Sequence, residues 1–224
     1  MLAMSDDDLR SLIKRFRHTR YNGWRNYKGK WRKYMGMDDT TGKIILDLGC
    51  GVGIESLELA LAGNDVIAAD LVPANIELAQ RVAALYGRPV RTALVGWEPP
   101  YVDLSDDSID ILYMNGVLHH IPHAQDLIRA SLAWLRPGGE IRAMLYSDRG
   151  WAKYVGVVVP PFDSDVTQHP HFRKFLRAFD RVGYHADWYS RKRLEWRFGD
   201  IVDISMYKYI TNDDRYAVTR MVPK

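Results

Sequence analysis

The stretch IILDLGCGVGIES, residues 44–56, constrains the fold of this chain more than any other segment. An apolar run leads into Asp47, glycines follow at alternate positions (Gly49, Gly51 and Gly53), and a helix-compatible run comes directly after them. Glycine is needed where the backbone takes a positive φ or where a ligand comes closer than a Cβ allows. A helix that begins after such a turn points free N–H groups into it, so this stretch is a candidate nucleotide-cofactor site.

The spacing of the glycines separates the classes of nucleotide site. A nicotinamide or flavin fingerprint reads G-x-G-x-x-G, but here Ile54 stands where its third glycine would be. No Gly-Lys-Ser/Thr follows, which excludes a P-loop. An acidic residue that ends the strand before G-x-G-x-G is typical of class I S-adenosylmethionine-dependent methyltransferases, and this segment resembles their first motif. The alternative is a glycine-rich turn without a ligand. The resemblance places Asp47, Gly49, Cys50, Gly51, Gly53 and Ile54 at the cofactor.

A second apolar run, VIAAD, ends at Asp70, about 20 residues after the first glycine. At this distance a doubly wound fold places an acid against the ribose hydroxyls of its cofactor. We therefore expect Asp70, with Leu71 beside it, to contact the ribose. The alternative role of this region is a helix N-cap for the run that begins at Pro73.

The segment after the third predicted strand, PVRTALV at 89–95, departs from the family pattern. The family usually has an acid followed by a small residue near the adenine, but residues 96–100 read GWEPP. We assign Gly96, Trp97 and Glu98 to the adenine, with Trp97 stacked on the base or with Glu98 or Asp103 accepting from its amino group. The alternative is that Trp97 only packs against the protein.

The fourth predicted strand, IDILYMN, is followed by Gly116 and the segment VLHHIP at 117–122. Ligands of open α/β sheets lie at the carboxyl ends of strands, so Asn115 and Gly116 are assigned to the cofactor. The segment resembles the VLHHI of small-molecule and lipid-precursor methyltransferases. A histidine that titrates near neutral pH can take a proton from a hydroxyl or amine, which makes His119 and His120 candidate catalytic bases. Alternatively the segment shapes the cofactor pocket, where His120 is also placed.

The order of predicted elements gives an α/β fold with a doubly wound, mostly parallel seven-stranded sheet and helices on both faces. This is the Rossmann-like methyltransferase fold, and the resemblance implies an antiparallel last strand, RYAVTRMV, at the edge of the sheet. After a helix at 171–183, the sixth strand is placed on YHADWYS at 184–190. The methyltransferase domain is expected over 43–224, with insertions at about 147–170 and 191–213.

Residues 1–42 form a basic, aromatic arm, since residues 9–37 hold ten Lys or Arg and no Asp or Glu. A short amphipathic helix is predicted over residues 6–20, and aromatic residues follow at spacings of three or four. One interpretation is an arm that packs on the domain. The other is a lid that also offers aromatic walls and cations to an anionic or planar substrate. The predicted substrate contacts are Tyr21, Trp24, Tyr27, Trp31 and, from the fifth strand, Tyr146.

Composition excludes several classes of protein. The single cysteine, Cys50, excludes a disulfide framework and a cysteine-based metal cluster, and no metal site is expected. The start of the chain, MLAMSDDDLR, lacks the features of a signal peptide, and no apolar stretch is long enough to span a membrane. A cytoplasmic protein is therefore expected. The sequence does not predict an oligomeric state.

The resemblance implies in-line methyl transfer from S-adenosyl-L-methionine, with S-adenosyl-L-homocysteine as the product. Such an enzyme must align a nucleophile with the methyl group and remove its proton where it carries one. The expected acceptor is an oxygen or nitrogen of a small molecule held under the arm. One alternative is an RNA, peptide or protein methyltransferase that docks through the basic arm, although nucleic acid is not favoured. The other is an S-adenosylmethionine-binding protein without catalysis.

Overall fold

The computed structural model describes residues 1–179 and 184–224. A seven-stranded sheet forms its centre. The strands are β1 (Ile44–Leu48), β2 (Asp65–Asp70), β3 (Arg91–Leu94), β4 (Ile109–Asn115), β5 (Leu135–Tyr146), β6 (Val202–Tyr209) and β7 (Tyr216–Pro223). Their order is β3-β2-β1-β4-β5-β7-β6, in which β7 runs antiparallel to both of its neighbours and the pairings of β1 to β5 are parallel.

Helices cover both faces of this sheet. They are α1 (Asp6–Asn22), α2 (Lys30–Met35), α3 (Ile54–Leu61), α4 (Pro73–Leu85), α5 (Ala124–Trp134), α6 (Asp148–Val155), α7 (Phe172–Phe179) and α8 (Arg191–Phe198). In the described part of the chain, no helix combines the length and the apolar character that a membrane span requires. The seven-stranded sheet with helices on both faces confirms the predicted fold class.

Alternation along β1 and β4 explains the two layers of core. Leu46 and Leu112 point to one face and pack in a cluster that includes Ile128 of α5. Ile45 and Ile111, one residue away, point to the other face, where the cluster includes Trp31 and Met35 of α2. Successive side chains of a strand point to opposite faces, so these apolar runs require cover on both sides. The N-terminal arm supplies part of that cover.

The predicted sixth strand is wrong. Residues 184–190 make only an isolated bridge, Ser147 to Tyr189, and β6 instead lies inside the predicted insertion at 191–213. The last strand is antiparallel as expected, but it lies between β5 and β6 rather than at the edge. The helix predicted over 171–183 is observed as α7, and residues 180–183 lie outside the described residues.

A buried ion pair accounts for the error at 184–190. Asp187 is almost fully buried, and its carboxylate accepts hydrogen bonds at 3.0 and 3.1 Å from Arg193 of α8. Arg193 also donates to the carbonyls of Phe162 and Ser164, at 2.6 and 2.9 Å. The apolar run therefore packs against a helix and a loop rather than pairing in the sheet. This arrangement also orders the predicted insertion at 147–170, where α6 buries Trp151 in a core cluster.

We expect Arg193→Met to lower the free energy of unfolding by roughly 3 kcal/mol or more, because it leaves a buried carboxylate and two carbonyls short of partners. Arg191→Met on the same helix is the matched control, since Arg191 forms an exposed ion pair with Glu195. The control should cost less than about 1 kcal/mol. Urea unfolding followed by circular dichroism measures both. Equal losses would contradict the structural role of Arg193.

Candidate active site

The three glycines after β1 have separate roles. All have positive φ, at 74°, 54° and 77° for Gly49, Gly51 and Gly53. A Cβ at Gly49 would collide with Val117, and one at Gly53 would lie 2.7 Å from the Cα of Ala79, so these two glycines permit close packing. A Cβ at Gly51 would meet nothing within 4 Å. Gly51 therefore borders open space, which a ligand can occupy.

Asp70 holds the glycine turn to the end of β2. One carboxylate oxygen accepts from the backbone N–H of Gly51 at 2.9 Å. The other accepts from the backbone N–H of Val72 at 2.9 Å and from the side chain of Asn75 at 3.1 Å. The carboxylate thus lies beside the turn, where the ribose was expected. Its contact with a ribose stays a prediction.

Asp47 is the second-last residue of β1, and its side chain is buried, with only 1% of the residue exposed. Burial raises the pKa of its carboxyl to about 7, and the negative charge of Glu55 adds to the rise. The hydroxyl of Ser56, which donates to the carboxylate, and the positive charge of Arg20 oppose that rise. Asp47 therefore changes charge near neutral pH, and a cation bound beside it would favour the ionised form.

A cavity of about 190 Å³ opens at the carboxyl ends of β1, β4 and β5. The glycine turn forms one wall, the ends of β4, β5 and the start of β7 form another, and the arm covers both. Its lining residues are Arg20, Arg25, Asp47, Gly49, Cys50, Gly51, Glu55, Asn115, Gly116, His119, Met144, Tyr146 and Tyr216.

The arm is fixed over this cavity by a chain of polar contacts. Arg20 of α1 pairs with Glu55 in the first turn of α3. The side-chain amide of Asn115 donates to Glu55 at 3.1 Å, and the indole N–H of Trp31 donates to Asn115 at 3.1 Å. A second ion pair, Arg17 to Glu58, lies one turn further along α3. The arm is therefore a docked wall of the site in this structure.

The two histidines of the VLHHI segment differ in environment. His119 is 1% exposed and lines the cavity, and neither ring nitrogen has a hydrogen-bond partner among the described residues. Its ring lies 3.7 Å from that of Tyr146, centroid to centroid. Burial lowers the pKa of His119 well below its usual range, and His120 and His185 lower it further. His119 is therefore neutral at neutral pH.

His120 is not among the residues that line the cavity. Its Nδ1 lies 2.8 Å from the carbonyl oxygen of His185, which requires a proton on that nitrogen. Its Nε2 lies 3.3 Å from the hydroxyl of Tyr146, which in turn donates to the carbonyl of Phe179 at 2.6 Å. His120 thus contacts a residue of the cavity wall rather than the cavity itself.

The structure brings together at the cavity eight of the twenty residues that the sequence predicted for the site. Those lining the cavity are Asp47, Gly49, Cys50, Gly51, Asn115, Gly116, His119 and Tyr146. Gly53, Ile54, Asp70 and Leu71 are adjacent in the chain to the turn or to the end of β2.

Other predicted residues lie elsewhere. Gly96, Trp97 and Glu98 follow β3, and Trp97 is 74% exposed with its ring edge against Tyr184. Its contact with adenine stays a prediction. Four arm aromatics were assigned to the substrate. Trp24 and Tyr27 line a second cavity, whereas Tyr21 stacks on Trp31, which is fully buried.

Sequence reasoning missed Arg20, Arg25, Glu55 and Tyr216, which the cavity brings together from three distant segments. Glu55 carried a signal, because it follows the glycine turn directly in the first turn of a helix. Arg20 and Arg25 were counted only as part of the basic arm. Tyr216 begins the strand whose position in the sheet was predicted wrongly.

The residues present fit S-adenosylmethionine. Asp47 and Glu55 offer carboxylates to the positive charges of its ammonium and sulfonium groups. Gly51 leaves space for close approach, and the unpartnered nitrogens of His119 are buried polar atoms that face the cavity. Buried polar atoms are normally satisfied, so these nitrogens indicate a ligand.

Comparisons with known proteins agree with this fit. A family model described as a methyltransferase domain matches residues 15–201. The ubiquinone biosynthesis O-methyltransferase of Photorhabdus laumondii is 27% identical over 151 residues, which cover 64% of this chain and 60% of that protein. The chain thus spans less than two thirds of the length of this curated relative.

Solved structures show the same architecture over nearly the whole chain. A Pyrococcus horikoshii protein superposes with a TM-score of 0.66 at 18% identity, covering 97% of this chain and 94% of that one. An Aquifex aeolicus SAM-dependent methyltransferase gives a TM-score of 0.62 at 13% identity, with coverages of 97% and 98%. These identities show the fold alone. Because the family model takes in the glycine turn, the VLHHI segment and Arg20 of the arm, the chain belongs to the methyltransferase domain family, with the fold of S-adenosylmethionine-dependent methyltransferases.

Proposed function

We propose that this chain transfers the methyl group of S-adenosylmethionine to an oxygen of a small molecule. The observation that carries the proposal is the cavity in which the glycine turn, His119 and two arginines of the arm face one another. An arm docked beside this cavity through ion pairs leaves room for a small acceptor rather than for a polymer.

The cofactor half of the site lies over β1, β2 and β4. Asp47 and Glu55 would bind the methionine end, Gly51 would allow close approach, and Asp70 would accept from the ribose. Bound S-adenosylmethionine supplies an electrophilic methyl group on a good leaving group. The protein therefore contributes mainly alignment and the exclusion of water.

His119 is the residue proposed to contact the acceptor. A neutral imidazole has one nitrogen that accepts a hydrogen bond, so it can orient the hydroxyl that attacks the methyl group. The same nitrogen can receive the hydroxyl proton as the new bond forms. Oxygen is preferred over nitrogen because the Photorhabdus relative is named an O-methyltransferase.

The polymer alternative is less well supported. Docking of RNA or protein through the arm needs exposed, unpaired cations. Arg17, Arg20 and Arg32 instead pair with Glu55 and Glu58 of α3, which fixes them over the cofactor side of the domain. Lys14, Arg15 and Lys28 remain exposed on the arm. Exposed cations of this kind are common on solvated protein surfaces, so they do not imply a polymer partner.

Incubation of the protein with methyl-labelled S-adenosylmethionine and a fractionated cell extract tests the proposal. We expect label in the low-molecular-weight fraction, as a methyl ether or ester identified by mass spectrometry, together with S-adenosylhomocysteine. Label confined to RNA or protein would overturn the choice of acceptor. Cofactor binding with no labelled product in any fraction would favour a binding protein without catalysis.

Alanine at Gly51 should weaken cofactor binding through its Cβ alone. Gly42→Ala is the matched control, because Gly42 also has a positive φ, 67° against 54°, and its Cβ would likewise meet nothing within 4 Å. Each substitution should cost about 1–2 kcal/mol of stability through backbone strain. Only Gly51→Ala should also weaken S-adenosylmethionine binding, by about tenfold or more in calorimetric titration. Equal affinities in the two variants would place the cofactor elsewhere.

Cofactor affinity should rise with pH through the titration of Asp47. The pKa of Asp47 is raised from 3.8 to about 7, so the free protein loses stability as pH rises through this range and Asp47 ionises. A cationic ligand selects the ionised form. Affinity should therefore increase roughly tenfold between about pH 6 and about pH 7.5.

Asp47→Asn should remove most of this pH dependence, because the amide does not titrate. Asp65→Asn is the control, since Asp65 is an exposed acid on β2 that pairs with Arg91. The control should keep the slope of the wild type. If the affinity of Asp47→Asn for S-adenosylmethionine still rose with pH as in the wild type, the titrating group would be another residue.

A further inference from the structure

Arg25 is the cation of the cavity that has no partner. It lies in the arm segment between α1 and α2 and lines the cavity together with Arg20. Within residues 1–179 and 184–224, no group accepts a hydrogen bond from its guanidinium and no carboxylate lies within ion-pair distance. Its contact is with the ring of Trp24, at 5.5 Å. A guanidinium stays charged at neutral pH, so Arg25 brings an uncompensated positive charge to the cavity.

The other charges of the cavity do not neutralise Arg25. Glu55 already accepts from Arg20 and from Asn115. Asp47 also lines the cavity, and its carboxylate accepts a hydrogen bond from Ser56. Burial and the charge of Arg20 both lower the pKa of Arg25, while the charge of Glu55 opposes them. Arg25 is therefore in an environment that an added anion would stabilise.

The strand order places Tyr216, on which the neighbour of Arg25 packs, away from the glycine turn. The glycine turn follows β1, and β4 and β5 separate β1 from β7. With strands about 4.8 Å apart, the start of β7 lies about 14 Å from the turn. Trp24, the ring neighbour of Arg25, packs on Tyr216 at 5.1 Å, and Tyr216 pairs with Tyr146 across β5 and β7. Arg25 lines the cavity together with Tyr146 and Tyr216 as well as with the glycine turn.

We propose that Arg25 binds an anionic group of the methyl acceptor, a carboxylate or a phosphate, while His119 contacts the group that is methylated. This inference rests on the proposed function, because it assumes that the same cavity holds the acceptor. An arginine fork matches carboxylate and phosphate oxygens in a bidentate manner. Tyr146, Tyr216 and His119 provide aromatic walls, so the class of acceptor is a planar acid with a hydroxyl group.

The carboxylate of the cofactor is the other source of an anion in this cavity. Binding of S-adenosylhomocysteine and of methylthioadenosine distinguishes the two sources, because methylthioadenosine lacks the amino acid end. Arg25→Met and its control, Arg15→Met, make the same change on the arm, and Arg15 is exposed. If Arg25 serves the acceptor, both nucleosides should bind Arg25→Met as they bind the wild type. Weaker binding of S-adenosylhomocysteine alone would assign Arg25 to the cofactor and overturn the proposal.

Binding of anions to the complex with S-adenosylhomocysteine tests the acceptor side directly. The probes are 3-hydroxybenzoate, its uncharged analogue 3-hydroxybenzamide, and inorganic phosphate, in calorimetric titrations. We expect at least one of the anions to bind the wild type and Arg15→Met with equal affinity. The same anion should bind Arg25→Met about tenfold more weakly, and Arg25→Lys should recover part of the lost affinity. The amide should bind more weakly than the acid.

Two further results would overturn the inference. One is equal binding of the acid and the amide, and the other is no binding of either anion to a protein that binds S-adenosylhomocysteine. Failure of the wild type to bind S-adenosylhomocysteine would instead contradict the proposed function itself. The two failures are therefore distinguishable.

Discussion

A buried carboxylate, that of Glu55, connects the three parts of the site. It is 4% exposed and accepts from Arg20 of the arm and from Asn115 at the end of β4. A buried charge without partners would be costly, so Glu55 requires the arm to be docked. Trp31, which donates to Asn115, adds the packing of α2 to the same network. The first turn of α3, the end of β4 and the docked arm therefore share one buried carboxylate.

The residues of the glycine turn that line the cavity could be predicted from the sequence because their signals are local. Three glycines at alternate positions, with Asp47 before them, need no knowledge of the rest of the fold, and Asp70 follows from spacing alone. The acceptor side depends on long-range placement. Arg25 and Tyr216 meet only because the strand order brings the start of β7 beside β5 and under the arm. No sequence pattern around Arg25 or around Tyr216 predicts that these residues line the same cavity.

The sixth strand was predicted wrongly for a similar reason, because contacts between elements decided the structure of residues 184–190. Residues 184–190 are apolar enough for a strand, but Asp187 within them is compensated by Arg193 from the following helix. β6 alternates buried and exposed positions at its start, as in Val202, Asp203 and Ile204. That period was present in the sequence, yet the basic and aromatic residues around it favoured the interpretation of an insertion. The ion pair of Asp187 with Arg193, together with the hydrogen bonds of Arg193 to Phe162 and Ser164, decided between two segments of similar propensity.

Burial has opposite effects on the acid and the base that face the cavity, and together they set its charge. It raises the pKa of Asp47 and lowers that of His119, so both groups tend towards their neutral forms. With Arg20 compensated by Glu55, the charge that remains is that of Arg25. A cationic cofactor would restore the charge of Asp47, and an anionic acceptor would neutralise Arg25. The two ligands would then each meet a compensating charge in the cavity that His119 also lines.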